Sequence, residues 1–309
     1  MNKSNFIYTK REKSSRYILF LFLITITSGT YFFSLKSNTP YVDDISNINE
    51  NDTPFIKAIK SEDINKVKSL IKSRINVNEV YENGYTALMV AASKGNVEIV
   101  KLLIETGADL ESYDNNGNTS FMHAFFNHQK EAVVKFLLTK NVNIEVVNDQ
   151  EQTPLILAAL NNHYKSIELL IKSKAKIEFK GQLERTALMH AVNNNCIEAV
   201  KLLIKNKADI ETRDAFTFTP LMLAVFNNSG SMIKILLQAG SDRNACTNIT
   251  ISVGKNNFFF DDRITISVGR RDFPNSFYKE MDPIPLGSKA LDIAKRFECR
   301  LAEKILNNN

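Results

Sequence analysis

Apolar positions recur along most of this chain in blocks of 33 or 34 residues, and each block holds two stretches of helical spacing. The first stretch opens on a Thr: Thr53-Pro54-Phe55, Thr86-Ala87-Leu88, Thr119-Ser120-Phe121, Thr153-Pro154-Leu155, Thr186-Ala187-Leu188 and Thr219-Pro220-Leu221 begin at intervals of 33, 33, 34, 33 and 33 residues. Five residues after each Thr stands an Ala, at positions Ala58, Ala91, Ala124, Ala158, Ala191 and Ala224, where a small side chain lets two helices approach closely. About ten residues further on a second amphipathic stretch follows, clearest in 97–104 and 197–204, with apolar residues at helical spacing. Repetition at a fixed period of this length predicts supersecondary units that stack, because one helix pair cannot bury its apolar flank alone.

Local chemistry agrees with the period. A Thr hydroxyl can accept from an orphan backbone N–H at a helix start, and Pro54, Pro154 and Pro220 fall in the first turn, where a missing donor does no harm. Gly107 and Gly240 close the second helix of their units, and Asn83-Gly84 and Asn116-Gly117 supply tight turns at the connecting tips.

These units resemble ankyrin repeats, whose signature includes a Thr-Pro-Leu helix start and a second helix ending in Gly-Ala-Asp. Residues 86–109 match most closely, with Gly95-Asn96, Val97-Glu98-Ile99-Val100 and Gly107-Ala108-Asp109 in family order. The resemblance implies a curved stack of helix pairs that binds protein partners through its concave face and loop tips, and such repeats seldom catalyse anything. Two departures stand out. Ile56, Met89, Met122, Ile156, Met189 and Met222 occupy the place of the family's usual His, which removes its polar link to the tip and predicts looser tips. Arg74, Asn141, Lys174 and Lys207 replace the helix-ending Gly, so each must tolerate a backbone conformation that suits Gly better.

The polar unit 52–84 reads as an N-terminal cap, and 289–306 as a C-terminal one. Before the latter lies an insertion, at about 244–281, in which Ile249-Thr250-Ile251-Ser252-Val253-Gly254 recurs as Ile264-Thr265-Ile266-Ser267-Val268-Gly269. That alternation predicts a β-hairpin or small meander, either a lengthened surface loop or an edge for strand pairing. At the other end, residues 17–35 carry no charge and reach roughly 28 Å as a helix. They read as a transmembrane anchor, with a cleaved signal peptide as the rival reading. Lys3, Lys10, Arg11, Lys13 and Arg16 within the basic segment 1–16 then place the N-terminus in the cytoplasm and the repeats on the non-cytoplasmic side, periplasmic if bacterial. Residues 36–52 form a polar linker. The expected fold is therefore all-α: a solenoid over 53–309 of about seven helix pairs, with a β-hairpin insertion before the last and an N-terminal transmembrane or signal helix.

Charge narrows the function. The formal net charge is +5, but residues 1–16 supply +4 of it, so no broad basic surface for nucleic acid is expected on the repeats. His123 and His190 are two units apart, roughly 20 Å at ordinary helix spacing, too far to share a metal. His128 and His163 read as solvated turn residues. Cys196, Cys246 and Cys299 show no paired spacing. No catalytic residue, cofactor, metal or small-molecule substrate is therefore expected.

Partner binding falls to positions that vary freely in such stacks: Tyr85, Asn118, Gln152, Arg185, Phe216 and Phe218 at the tips, and Lys94, Phe126, Leu160, Asn193 and Phe226 near the end of each first helix. Phe126, Leu160, Phe216, Phe218 and Phe226 would act as aromatic and aliphatic anchors on a solvent-facing surface. The leading expectation is an adaptor that binds a protein and is held at a membrane through 17–35. The alternative is a structural or chaperone-like protein that shields an exported enzyme or self-assembles through the inserted strands. The abundance of Asn, Lys and Ile points to an AT-rich, bacterial source.

Overall fold

The computed structural model describes residues 51–126, 131–245, 251–253, 257–260, 264–267 and 305–307. The chain divides into two compact units, one of residues 38–245 with 289–309 and one of residues 1–37 with 246–288.

Among the described residues of the first unit six helix pairs follow one another. They are α1 (Pro54–Lys60) and α2 (Ile64–Lys72), α3 (Ala87–Lys94) and α4 (Val97–Glu105), α5 (Ser120–His123) and α6 (Glu131–Leu138), α7 (Pro154–Leu160) and α8 (Tyr164–Lys172), α9 (Ala187–Asn193) and α10 (Ile197–Lys205), and α11 (Pro220–Phe226) and α12 (Gly230–Gln238). Each first helix packs on the next first helix and each second helix on the next second helix, so the serial stacking implied by the period is present.

Why each first helix starts where it does is visible atom by atom. Thr53, Thr86, Thr119, Thr153, Thr186 and Thr219 all accept the backbone N–H three residues on, at 3.3–3.5 Å. The acceptor row places Ile56, Met89, Met122, Ile156, Met189 and Met222 inward, where all six are buried. The Ala row from Ala58 to Ala224 is buried as well, which permits the close approach of neighbouring helices.

Turns are set by residues in the left-handed region. Arg74 (φ 62°), Asn141 (55°), Lys174 (67°) and Lys207 (66°) adopt the conformation that Gly107 and Gly240 adopt at the same place in their units. Asn162, Asn195 and Asn228 do the same between the two helices of a pair, at φ 56°, 56° and 49°. A further device ties unit to unit along the loops after the second helices. Asn78, Glu111, Glu145, Glu178 and Glu211 each accept, through a side-chain oxygen, the backbone N–H of Asp109, Asn143, Lys176, Asp209 and Asp242 in the next unit.

The second unit is described in three strands, β1 (Ile251–Val253), β2 (Asn257–Phe260) and β3 (Ile264–Ser267), forming an antiparallel meander in chain order. Ile251 pairs with Phe260 and Ile266 with Phe258. The duplicated Ile-Thr-Ile-Ser segments therefore do not pair with one another; both pair with 257–260. Residues 17–35, the linker up to 50, His128, Cys246, Cys299 and most of the expected C-terminal cap lie outside the described residues. Residues 305–307 are helical, with Ile305 and Leu306 buried.

Candidate interaction surface

Five tips connect the six pairs, and each closes on itself through a backbone hydrogen bond. Tyr81 N–H donates to Tyr85 O at 2.8 Å, Asp114 to Asn118 at 2.9 Å, Asn148 to Gln152 at 3.1 Å, Gly181 to Arg185 at 3.0 Å and Asp214 to Phe218 at 3.1 Å. Neighbouring tips are also joined through Asn115 N–H to Asn83 O, Asp149 N–H to Asn116 O and Ala215 N–H to Leu183 O, at 2.8–3.0 Å. Three of the four junctions between successive tips of the row are thus held by a backbone hydrogen bond.

Buried side chains reinforce that row. Asp114 Oδ1 accepts from the backbone N–H of Asn116 and Asn118, both at 2.9 Å, while its Oδ2 lies 2.9 Å from His123 Nε2 on α5. Burial raises the Asp114 pKa, but the hydrogen bond from His123, the Asn118 N–H and the imidazole charge outweigh it and leave the carboxyl below its ordinary value. Asn118 donates to Asp114 through Nδ2, and Asn148 Nδ2 donates across to Asn118 Oδ1 at 2.8 Å. Asn148 repeats the Asp114 role in its own tip, accepting from Gln150 and Gln152 N–H at 3.1 and 2.9 Å. Asp214 does so again for Phe216 and Phe218, at 2.9 and 3.0 Å.

The expectation of looser tips is therefore corrected. The polar link missing at the Met and Ile positions is made one residue later by His123, and between tips by Arg185. Arg185 Nε and Nη2 both donate to Asp214 Oδ2 at 3.1 Å, and both residues are buried. Burial pushes the Asp214 carboxyl up, against the Arg185 charge and the backbone donors that pull it down.

His190, two units on from His123, has no such link. Both its ring nitrogens are buried without a hydrogen-bond partner, and burial with the nearby Arg185 charge lowers its pKa to about 3. The place corresponding to Asp114 is Gly181, where a Cβ would lie 2.3 Å from Glu151 O, so no acidic side chain fits. His163, expected in solvent, is buried, with its ring 6.2 Å from Phe125. Cys196 is buried too, and its thiol pKa is raised by that burial. Among the described residues no group of three His, Cys, Asp or Glu side chains is placed to hold a metal.

The positions expected to meet a partner divide sharply. Tyr85, Asn118, Gln152, Leu160, Arg185, Asn193 and Phe218 are buried, so their expected exposure is corrected. Phe218, expected to be the most open ring, is 3% exposed because the closed tip turns it toward Phe226, 6.4 Å away. Asn118, Gln152 and Arg185 are buried by the polar network they build, and Asn193 accepts from Asn227 of the next unit. Lys94, Phe126, Phe216 and Phe226 remain half-buried, with Phe126 resting on His123 at 5.3 Å.

Sequence reasoning missed another row. Val80, Tyr113 and Val147 hold the same place in three successive tips and are 65%, 73% and 41% exposed. Val80 and Tyr113 are each bridged antiparallel to Thr86 and Thr119, which holds the backbone extended there. A large apolar residue just before each Asp114-type anchor was the signal available.

Comparison with known proteins agrees with the stack. A family model described as Ankyrin repeats (3 copies) matches residues 30–114, 107–181 and 177–246. The protein "Ankyrin repeat, SAM and basic leucine zipper domain-containing protein 1" of Notamacropus eugenii is 35% identical over 118 residues, 37% of this chain and 25% of that protein. Its counterpart in Mus musculus is 33% identical over 120 residues, 38% of this chain and 25% of that protein. The chain thus spans about a quarter of the length of these relatives. The crystal structure of the human ASB11 ankyrin repeat domain superposes with a TM-score of 0.61 at 20% identity, covering 81% of this chain and 98% of that one. These are animal proteins, and they lend no support to a bacterial source.

The membrane placement expected from the sequence is likewise corrected. The longest described helices have nine residues, roughly 13 Å against a hydrocarbon core of about 30 Å. Among the described residues no helix is long and apolar enough to cross a membrane, and the relatives are named for their ankyrin repeats. Six Thr-capped helix pairs in serial contact, with matching family segments from residue 30 to residue 246, lead to one assignment. The chain belongs to the ankyrin-repeat family.

Proposed function

We propose that this chain is a binding module that recognises a partner protein across its row of tips and the adjoining ends of its first helices. The observation that carries the reading is the tip row itself. Five closed turns, joined by hydrogen bonds at three of their four junctions, display side chains at fixed intervals. Such pre-ordering lowers the entropy lost on binding, which is what a recognition surface requires.

Lys94, Phe126, Phe216 and Phe226 are the expected contact residues that a partner can reach. Tyr85, Asn118, Gln152, Leu160, Arg185, Asn193 and Phe218 support them from beneath. Half-buried rings with one edge in contact with the stack make rigid anchors, and aromatic residues of this kind dominate many interfaces.

Site-specific photocrosslinking tests the reading. With p-benzoylphenylalanine in place of Phe126 or Phe216 in the full chain, both positions should capture the same protein from extracts of the source cells. The same residue in place of Lys172, on the second-helix face, should not. Capture of that same protein from Lys172, or of no shared protein from the two tip-side positions, would overturn it.

A further inference from the structure

The tips are not chemically alike, and the difference points to a class of partner. Residues 74–85, 107–118 and 141–152 contain a single basic residue, Arg74, against eight Asp and Glu residues. Among those, Glu79, Glu82, Glu111 and Asp149 are exposed. No ion pair among the described residues engages Glu79, Glu82 or Asp149. The same three tips present the exposed apolar row Val80, Tyr113 and Val147. In the next two tips the corresponding positions are Lys180 and Arg213, and Lys180 is paired with Glu184 at 3.7 Å. Residues 174–185 and 207–218 carry six Lys and Arg against five Asp and Glu residues, so an apolar, acidic half changes to a near-neutral, internally paired half between Val147 and Lys180.

Apolar side chains held out at equal intervals, with carboxylates around them, recognise apolar groups flanked by cations. Stacked helices lie about 8–10 Å apart, and a polyproline II-type extended chain advances about 3.1 Å per residue with three residues per turn, so one tip corresponds to roughly three residues and every third side chain of such a ligand faces the row. We propose that the first three tips form a docking site for an extended segment of a partner protein that is apolar at every third residue and carries Lys or Arg between. Val80, Tyr113 and Val147 take its apolar side chains, with Tyr113 as the central anchor. Glu79, Glu82, Glu111 and Asp149 attract and align its cations. The inference rests on the binding-module reading and names the partner's chemistry.

The test is selection of a phage-displayed library of random peptides, roughly 12 residues long to span three tips, on the full chain. The enriched peptide is then titrated calorimetrically against the full chain and its variants. The expected peptides combine apolar and Lys or Arg residues. Tyr113→Ser and the pair Glu82→Lys with Asp149→Lys should each weaken binding by about tenfold or more, while Lys180→Glu should leave it within about twofold. All of these positions are at the surface, and an unchanged melting temperature will show that the variants fold. Enrichment of acidic peptides, indifference to Tyr113→Ser, or no enriched peptide at all would overturn the docking site. None of these outcomes touches the binding-module reading, which stands or falls on a shared crosslinked partner from Phe126 and Phe216.

Discussion

The tips at 114–118 and 181–185 occupy the same place two units apart and solve the same problem in opposite ways. In the first, Asp114 anchors two backbone N–H groups and His123, and Gly117 takes the left-handed position at φ 77°. In the second, Gly181 offers no side chain, Leu183 and Glu184 both sit in the left-handed region at φ 59° and 55°, and His190 is left without a partner. That tip is held from outside instead, by Arg185 reaching the anchor of the following tip and by the Ala215–Leu183 backbone bond. Identical repeat frames therefore hold tips of different internal stability, because the frame fixes where a tip is and its own polar side chains fix how well it closes.

If that contrast is correct, the largest effect should come from the externally held tip. Asp214→Ala leaves the Arg185 guanidinium buried without its carboxylate and should cost about 3–5 kcal/mol by urea unfolding. Asp114→Ala strands the backbone N–H donors of Asn116 and Asn118 and the His123 ring, and should cost roughly 1–3 kcal/mol. Equal losses at the two sites would show that the charge on Arg185 is not what separates them.

Next in size is an effect of pH. His190 has its folded pKa lowered to about 3, below the ordinary value of 6.5. Between those values the unfolded chain binds a proton that the folded one refuses, so stability falls as the pH falls, by about 1.4 kcal/mol per unit from this group. His190→Leu should flatten that part of a melting-temperature profile. A profile of unchanged slope would mean that His190 is not held neutral.

Smaller changes sharpen the comparison. Removing the hydroxyl in Thr186→Ala should lower stability by about 1 kcal/mol, since the cap is 3.5 Å from Met189 N–H and buried. Leu183→Gly should relieve left-handed backbone and raise stability by about 1 kcal/mol or less, the loss of chain entropy offsetting part of the gain. The same exchange in reverse, Gly117→Ala, should lower it. Matching signs at these two sites would break the argument that the tips differ in backbone strain.

Much of this was legible in the sequence. The Thr, Ala and apolar registers gave the helix pairs, their order and their stacking, because capping and helical spacing act over a few residues. The non-Gly helix ends were legible too: Arg74, Asn141, Lys174 and Lys207 are all left-handed, as their register required. The surface was much less so. Phe218 and Leu160 read as exposed anchors by position, yet both are buried, Phe218 with its ring turned toward Phe226. Asn118, Gln152 and Arg185 read as variable contact residues, and their partners lie in the same tip or about 30 residues away.

The sequence by itself determined the repeat, since a 33-residue period of caps and apolar faces permits few folds other than a stack of helix pairs. Only the tertiary structure decided which polar residues are wired inward and which apolar ones face out. Side-chain exposure at a tip depends on what the adjacent unit places beside it, and no local pattern encodes that neighbour's geometry. Hence Val80, Tyr113 and Val147 emerged as an exposed row only once the tips were closed in space.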